Sequence, residues 1–310
     1  MKVIPLNPRG YCHGVVGAIN TLKKIAADET VKRPIHVLGM VVHNQKIVDD
    51  FSELGIRTLD SRHKSRLDLL DDIEGGTIVF TAHGVSDQVY TKAREKGLDI
   101  IDTTCRDVTL SQDVIKAYIK AGYHVLFAGK HEHPESETAT SISTHVTVIE
   151  TETDLENLHI TRKKIALTNQ TTLSFYDLFS LVETAKKKFP SLEVIEEICD
   201  ATKQRQNAVK MLPETTDHLF VVGDVRSNNA AQLVKVANQK GIAATLINSV
   251  EDLDIAMLET MNTVGVTAAA STPSQLTKEV IDYLETFNPE APHTPESKVL
   301  NQNIFIKKKT

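Results

Sequence analysis

Leu98-Asp99-Ile100-Ile101-Asp102-Thr103-Thr104-Cys105 is a short apolar stretch between acids that runs into a polar loop ending in cysteine. Its branched apolar residues predict a β-strand, and the threonines and cysteine predict a strand-to-loop junction. A helical pattern follows, with Val114, Ala117, Tyr118 and Ala121 on its apolar face. The other two cysteines are set in the same way. Cys12 follows the apolar stretch Lys2 to Leu6 and precedes Val15, Ile19, Leu22 and Ile25 at helical spacing. Cys199 follows Leu192 to Ile198 and precedes Ala208, Met211 and Leu212, a pattern cut by Pro213. The three cysteines are 93 and 94 residues apart.

The parallels extend beyond the cysteines. A second apolar strand ends at a glycine in each interval: Ile35 to Gly39, His124 to Gly129 and His218 to Gly223. Each glycine opens a polar loop, holding Val42-His43-Asn44, His131-Glu132-His133-Pro134-Glu135 and Ser227-Asn228-Asn229. A later strand ends at a third polar loop, with His83, Thr171 and Ser271 at 71, 66 and 72 residues from the cysteines. Alternating strands and helices predict βαβ units with mostly parallel sheets. The chain is therefore expected to be α/β, with repeats over residues 1–104, 105–198 and 199–287. Ligand sites in such sheets lie beyond the carboxyl ends of the strands, where every polar cluster falls here. Three such units around a pseudo-threefold axis would aim their loops at one point. Residues 288–310 read as a tail: Pro289, Pro292 and Pro295 mark a linker, Asn303 to Ile306 a short strand, and Lys307 to Thr310 a solvated end.

The composition is that of an ordinary globular protein. In 310 residues, 41% are apolar and 25% charged, enough to build a core. The net charge of −6 disfavours general binding to nucleic acid or anionic membrane. No run of 18 apolar residues occurs, so no membrane span is expected, and Met1 to Arg9 has no apolar core of a signal peptide. Three sparse cysteines argue against a disulfide framework and for a reducing, cytoplasmic compartment.

Cysteine alone is often a small buried hydrophobe. Three of them at the same strand-to-loop junction suit a shared metal centre better. There is no C-x-x-C pair and no clustered ferredoxin run, so an ordinary structural zinc site is disfavoured. Three thiolates leave a four-ligand centre one position short, which is what a catalytic centre needs. The candidates are a [4Fe–4S] cluster with one open iron and a Cys₃ zinc site with water.

His36, His124 and His218 fall within or beside strands and read as packing residues, whereas His43, His83 and His133 occupy loops at strand ends. With Asn229, Thr171, Ser227 and Ser271 and the N-termini of following helices, they form candidate anion ligands. Glu135 is a carboxylate in a histidine-rich loop. It reads either as an acid at a helix N-terminus behind Pro134 or as a general acid.

Taken together, Gly10-Tyr11-Cys12-His13-Gly14, Val42-His43-Asn44, Ala82-His83-Gly84, Asp102-Thr103-Thr104-Cys105, His133-Pro134-Glu135, Gln170-Thr171-Thr172, Cys199-Asp200-Ala201-Thr202 and Ser227-Asn228-Asn229 resemble the LytB family, the 4-hydroxy-3-methylbut-2-enyl diphosphate reductases. The likeness covers about residues 1–287. It implies three α/β domains around one [4Fe–4S] cluster held by Cys12, Cys105 and Cys199, with one iron open. It implies reductive removal of a hydroxyl from an allylic diphosphate, giving isopentenyl and dimethylallyl diphosphates at the end of the non-mevalonate isoprenoid pathway. By the same resemblance Glu135, Thr171 and His133 are catalytic. His43, His83, His133, Ser227, Asn228, Asn229 and Ser271 bind the substrate. No dinucleotide or flavin motif is present, so ferredoxin or flavodoxin is the expected electron donor.

Several positions depart from the family pattern. Asn228 replaces a common serine, Ser136-Glu137-Thr138-Ala139 replaces the usual run after Glu135, and Ala269 stands where glycine is common. The last would restrict φ and shift the loop before Ser271. Two rival readings accept the same clusters: a Cys₃-zinc hydrolase of a phosphorylated metabolite, and a non-catalytic metal or anion sensor.

Overall fold

The computed structural model describes residues 1–61 and 63–306. The expected solvated end, Lys307 to Thr310, lies outside the described residues. The strands are β1 (Lys2–Pro5), β2 (Ile35–Leu38), β3 (Ile56–Leu59), β4 (Thr77–Phe80), β5 (Asp99–Asp102), β6 (His124–Ala128), β7 (Val146–Ile149), β8 (Ile165–Asn169), β9 (Glu193–Val194), β10 (His218–Val222), β11 (Ala243–Ile247) and β12 (Thr263–Ala268). Between and after them run α1 (His13–Ala27), α2 (Gln45–Glu53), α3 (Arg66–Leu69), α4 (Asp87–Glu95), α5 (Arg106–Lys120), α6 (Pro134–Ile142), α7 (Glu152–Glu156), α8 (Phe175–Lys188), α9 (Asp200–Lys210), α10 (Asn228–Gln239), α11 (Ile255–Leu258) and α12 (Ser274–Thr286).

The chain divides into two compact units, the first of Met1–Val16, Val42–Glu53 and Asp200–Thr310, the second of Gly17–Val41 and Leu54–Cys199. The first unit holds one four-stranded sheet in the order β1-β12-β10-β11, and every pair in it is parallel. Its two faces are both covered, as a parallel sheet requires. Phe220 and Val222 point to one side, against Leu276, Val280 and Leu284 of α12. Leu219 and Val221 point to the other, against Leu233 and Val236 of α10 and Val209 of α9. Period-two alternation along β10 thus feeds two separate cores.

The second unit holds two further parallel sheets, β3-β2-β4-β5 and β7-β6-β8-β9. Leu38, Ile78 and Phe80 of the former pack with Leu69 and Leu70 and with Val89 and Ala93 of α4. In the latter, Leu126 and Leu167 pack with Leu178, Leu181 and Val182 of α8, while Val125 and Phe127 pack with Ile115 of α5 and Ala139 of α6. The expected parallel α/β units are therefore present three times.

Sheet membership carries one feature that the linear order conceals. The strands ahead of Cys105 and Cys199 are each the edge strand of the sheet built from the preceding residues: β5 beside β4, and β9 beside β8. β1, ahead of Cys12, instead pairs with β12, a strand from the far end of the sequence.

Four local expectations change. α5 buries Val108, Ser111 and Ile115, not the face of Val114, Ala117, Tyr118 and Ala121. α9 ends at Lys210, which leaves Met211 83% exposed. The strand before Cys199 shrinks to the two residues of β9. Asn303 to Ile306 forms no strand; Phe305 instead stacks on Phe51, with ring centroids 4.5 Å apart.

Candidate active site

The backbone geometry at the cysteines defines the repeat. Each N–H donates to a carbonyl in the loop after the neighbouring strand: Cys105 to Ala82 at 3.0 Å, Cys199 to Thr171 at 3.0 Å and Cys12 to Ala270 at 3.1 Å. Each cysteine is half-buried and free of disulfide, and each directly precedes a helix: α5, α9 and α1. A helix N-terminus favours negative charge, so a thiolate ligand is well placed at all three positions. Three soft sulfur donors in equivalent places suit an iron–sulfur group.

These bonds also re-register the third loops. Ala82, Thr171 and Ala270 are equivalent, so the residue matching His83 and Ser271 is Thr172, one beyond Thr171. Counting residues from each cysteine misses this because the intervening elements differ in length. The glycines behave as expected: the N–H groups of Gly39, Gly129 and Gly223 donate to Leu59, Ile149 and Ile247, at 2.7, 3.0 and 2.8 Å.

In the second unit, Glu135 and Thr171 meet. The Thr171 N–H donates to Oε2 at 2.9 Å and its hydroxyl to Oε1 at 3.0 Å. Glu135 is 6% exposed, and burial pushes its carboxyl up to about 7 although both Thr171 bonds pull the other way. His133 caps α6, its Nδ1 accepting from the Glu135 N–H at 3.2 Å, with Pro134 at the first helical position. The neutral ring therefore carries its proton on Nε2, as a donor. The His83 ring lies edge-on to that of His133, with centroids 5.7 Å apart. Its Nδ1 is 3.3 Å from the Thr81 hydroxyl. In the run that departs from the family pattern, Glu137 accepts from the Arg66 N–H and pairs with its guanidinium, so this acid is spent on structure.

In the first unit, Ser227, Asn228, Asn229 and Ser271 are all buried. Ser227 caps α10, its hydroxyl accepting from the Ala230 N–H at 3.3 Å. Asn228 and Asn229 fill the first two helical positions. Gln232 donates to Asn228 Oδ1 at 3.5 Å. Asn229 Oδ1 accepts from the Ala270 N–H at 2.9 Å, and its Nδ2 donates to Thr202 at 3.3 Å. Ser271 donates to the His43 carbonyl at 3.0 Å. Ala269 holds an ordinary negative φ, since no described residue other than glycine is positive. The expected shift of its loop is not needed.

His36, His124 and His218 are packing residues, as expected. The Nε2 atoms of His124 and His218 sit 2.8 and 2.9 Å from Thr147 and Thr245, and burial pulls all three pKa values down.

The LytB protein family matches residues 3–285. This chain belongs to the LytB family. It is 47% identical over 293 residues to the 4-hydroxy-3-methylbut-2-enyl diphosphate reductase of Symbiobacterium thermophilum, covering 94% of this chain and 99% of that one. The reductase of Bacillus cytotoxicus is also 47% identical, over 310 residues, covering 99% and 97%. Among solved structures, the E-1-hydroxy-2-methyl-but-2-enyl-4-diphosphate reductase of Plasmodium falciparum is similar with a TM-score of 0.85 at 29% identity, covering 97% and 96%. LytB members are iron–sulfur enzymes, which agrees with the donor set here. Among the described residues no helix is long and apolar enough to cross a membrane.

In this LytB chain a second set of residues surrounds His43 that no sequence motif marks. Asp224 accepts from the Gln45 N–H at 2.8 Å and pairs with Arg226, which also donates to Gln45 Oε1 at 2.7 Å. Burial alone would raise the Asp224 carboxyl, but these donors hold it below the usual range. The available signal was an acid and a cation immediately before Ser227. Their partner lies far away in sequence, and pattern reading does not reach it.

Proposed function

We propose that this chain reduces 4-hydroxy-3-methylbut-2-enyl diphosphate to isopentenyl and dimethylallyl diphosphates, the last step of the non-mevalonate pathway. The observation that carries the reading is the threefold recurrence of cysteine N–H to loop carbonyl, each ahead of a helix. On it we assign Cys12, Cys105 and Cys199 as the three ligands of one [4Fe–4S] cluster with one open iron. We take residues 1–104, 105–198 and 199–287 as three repeats gathered pseudo-threefold about it, and 288–310 as the tail. When bound, such a cluster supplies electrons singly and Lewis acidity at the open iron.

The chain's own residues do the rest. Ser227, Asn228, Asn229 and Ser271, with the N-terminus of α10, hold the diphosphate, and His43 and His83 add neutral or cationic donors. Overall, two electrons and two protons break the allylic C–O bond, release water and form one C–H bond. Glu135, protonated near neutrality and oriented by Thr171, gives the proton that lets the hydroxyl leave as water. His133 donates from Nε2 to the substrate. The new C–H bond at either end of the allylic system gives one or the other product. Electrons come from a cytoplasmic ferredoxin or flavodoxin.

Anaerobic purification followed by iron and sulfide analysis, electron paramagnetic resonance after reduction, and turnover with a chemical one-electron reductant tests the reading. Expected are about four irons per chain, a reduced-cluster signal and both products. Zinc in place of iron, or no turnover by iron-loaded protein, overturns it.

A further inference from the structure

α2 is built into the first unit although the chain on both sides of it belongs to the second. Nine residues are too few for a helix to persist by propensity alone. Something must hold it, and at its N-terminal end the holding groups belong to the diphosphate segments. Ser271 donates to the carbonyl of His43, two residues before the helix starts. Asn44 is the ordinary cap, its Oδ1 accepting from the Ile47 N–H at 3.3 Å. The first helical N–H, that of Gln45, goes instead to the Asp224 carboxylate at 2.8 Å. Asp224 stands three residues before Ser227, is buried, and is fixed in turn by the Arg226 N–H at 2.9 Å and by its guanidinium. A carboxylate at a helix N-terminus is favoured electrostatically, and a charge-assisted N–H bond is among the stronger ones.

Resting on the proposed reductase reading, we infer that Asp224 is a positioning residue. It latches the His43 end of α2 to the segment bearing Ser227, Asn228 and Asn229, so that both present donors to one diphosphate. It touches neither substrate nor cluster. Its contribution is geometric, and it falls on ligand binding rather than on the chemical step.

The test uses the iron-loaded protein and two variants that remove the same bond from opposite ends. Asp224→Ala removes the acceptor. Gln45→Pro removes the donor at the first helical position, where proline is favoured. Asp224→Asn keeps an acceptor oxygen in place. Measured are KM and kcat for the allylic diphosphate, the Kd of inorganic diphosphate by calorimetry, and iron content. Asp224→Ala and Gln45→Pro should each raise KM and the diphosphate Kd about tenfold, with kcat within about twofold of wild type and iron unchanged. Asp224→Asn should recover part of the loss, since one amide oxygen remains for the Gln45 N–H while the charge and the second acceptor are gone. Wild-type KM and Kd in Asp224→Ala overturn the inference. So does a loss shared equally by kcat and iron content, or an Asn variant no better than Ala. If wild-type protein binds inorganic diphosphate but fails to reduce the substrate, the reductase reading falls, while the diphosphate comparison still decides the latch.

Discussion

Thr171 grips Glu135 with two donors, its N–H on one carboxylate oxygen and its hydroxyl on the other. Both bonds favour the charged form, yet burial outweighs them and the carboxyl is raised to about 7. As the proposed proton donor, Glu135 is competent below that value and is depleted above it. Turnover should therefore fall as pH rises past about 7, approaching tenfold per unit. Thr171→Val removes one of the two donors and nearly preserves shape. The Glu135 carboxyl should rise further, and the alkaline limb of kcat/KM should move to higher pH. A profile from pH 6 to 9 checks this; an unmoved or acid-shifted limb contradicts it.

The same carboxyl links stability to pH. Its folded value, about 7, exceeds its ordinary value of 4.5, so the native state holds the proton more tightly. The stability it contributes is complete below about 4.5 and is lost as pH rises through about 7. Glu135→Gln removes the titration while keeping the volume. At pH 5 the variant should melt close to wild type. At pH 8 it should be the more stable, by about 3 kcal/mol at full effect. Thermal unfolding of both proteins at the two pH values decides it, and a difference that does not grow with pH would count against the buried-acid assignment.

The local grammar around Cys105 was readable because it is local: strand, polar stop and helix lie within a few residues. The same holds for His133-Pro134-Glu135, where proline and acid mark a helix start. Partnership was not readable. Four-residue β1 says nothing about whether it will pair with β2 or, as it does, with β12. The α5 face is deceptive in sequence because Tyr118 and Ala117 mimic a core stripe while the buried stripe includes polar Ser111. Thr171 and Thr172 are adjacent hydroxyls, and only the Cys199 bond tells which one matches Ala82. The Asp224 latch joins residues 179 apart, so no sequence window contains it.

Asn229 offers a sharper test of the anion site than any serine. Its Oδ1 is committed to the Ala270 N–H and its Nδ2 to Thr202, so the side chain braces the turn before Ser271. Asn229→Asp keeps the acceptor but replaces the donor with charge beside the proposed diphosphate. Repulsion and loss of the donor should weaken inorganic diphosphate binding by about 10- to 100-fold. Asn229→Ala should weaken it less, since no like charge is added. Calorimetry ranks the two, and equal or reversed losses would argue against an anion at this place.

Gly84 follows His83 with φ +75°, a conformation that other residues adopt at a cost. An added Cβ would lie 2.7 Å from Gln112 Nε2 and 3.3 Å from Thr104 Cγ2. The flexible amide can retreat, so the backbone angle is the main penalty. Gly84→Ala should cost about 1 to 2 kcal/mol and disturb His83, raising KM more than it lowers kcat. Thermal unfolding and steady-state kinetics check the two parts separately, and a variant with wild-type melting and KM would show that this angle is not required.

The far end of α2 is held by the tail. Phe305 stacks on Phe51 at 4.5 Å with the rings inclined by 29°. Asn303 donates to the Asp50 carbonyl at 2.8 Å, and the tail also reaches the first turn, where Lys46 donates to the Gln302 carbonyl at 2.8 Å. Phe305→Ala removes the stacking and should destabilise the protein by about 1 to 2 kcal/mol. Because His43 lies two residues ahead of α2 at its other end, loosening the helix should raise the diphosphate Kd. Phe305→Tyr preserves the ring and should restore both melting and affinity. If Phe305→Ala lowers the melting temperature but leaves the diphosphate Kd unchanged, the tail stabilises the fold without reaching the site, and α2 is set by its N-terminal bonds alone.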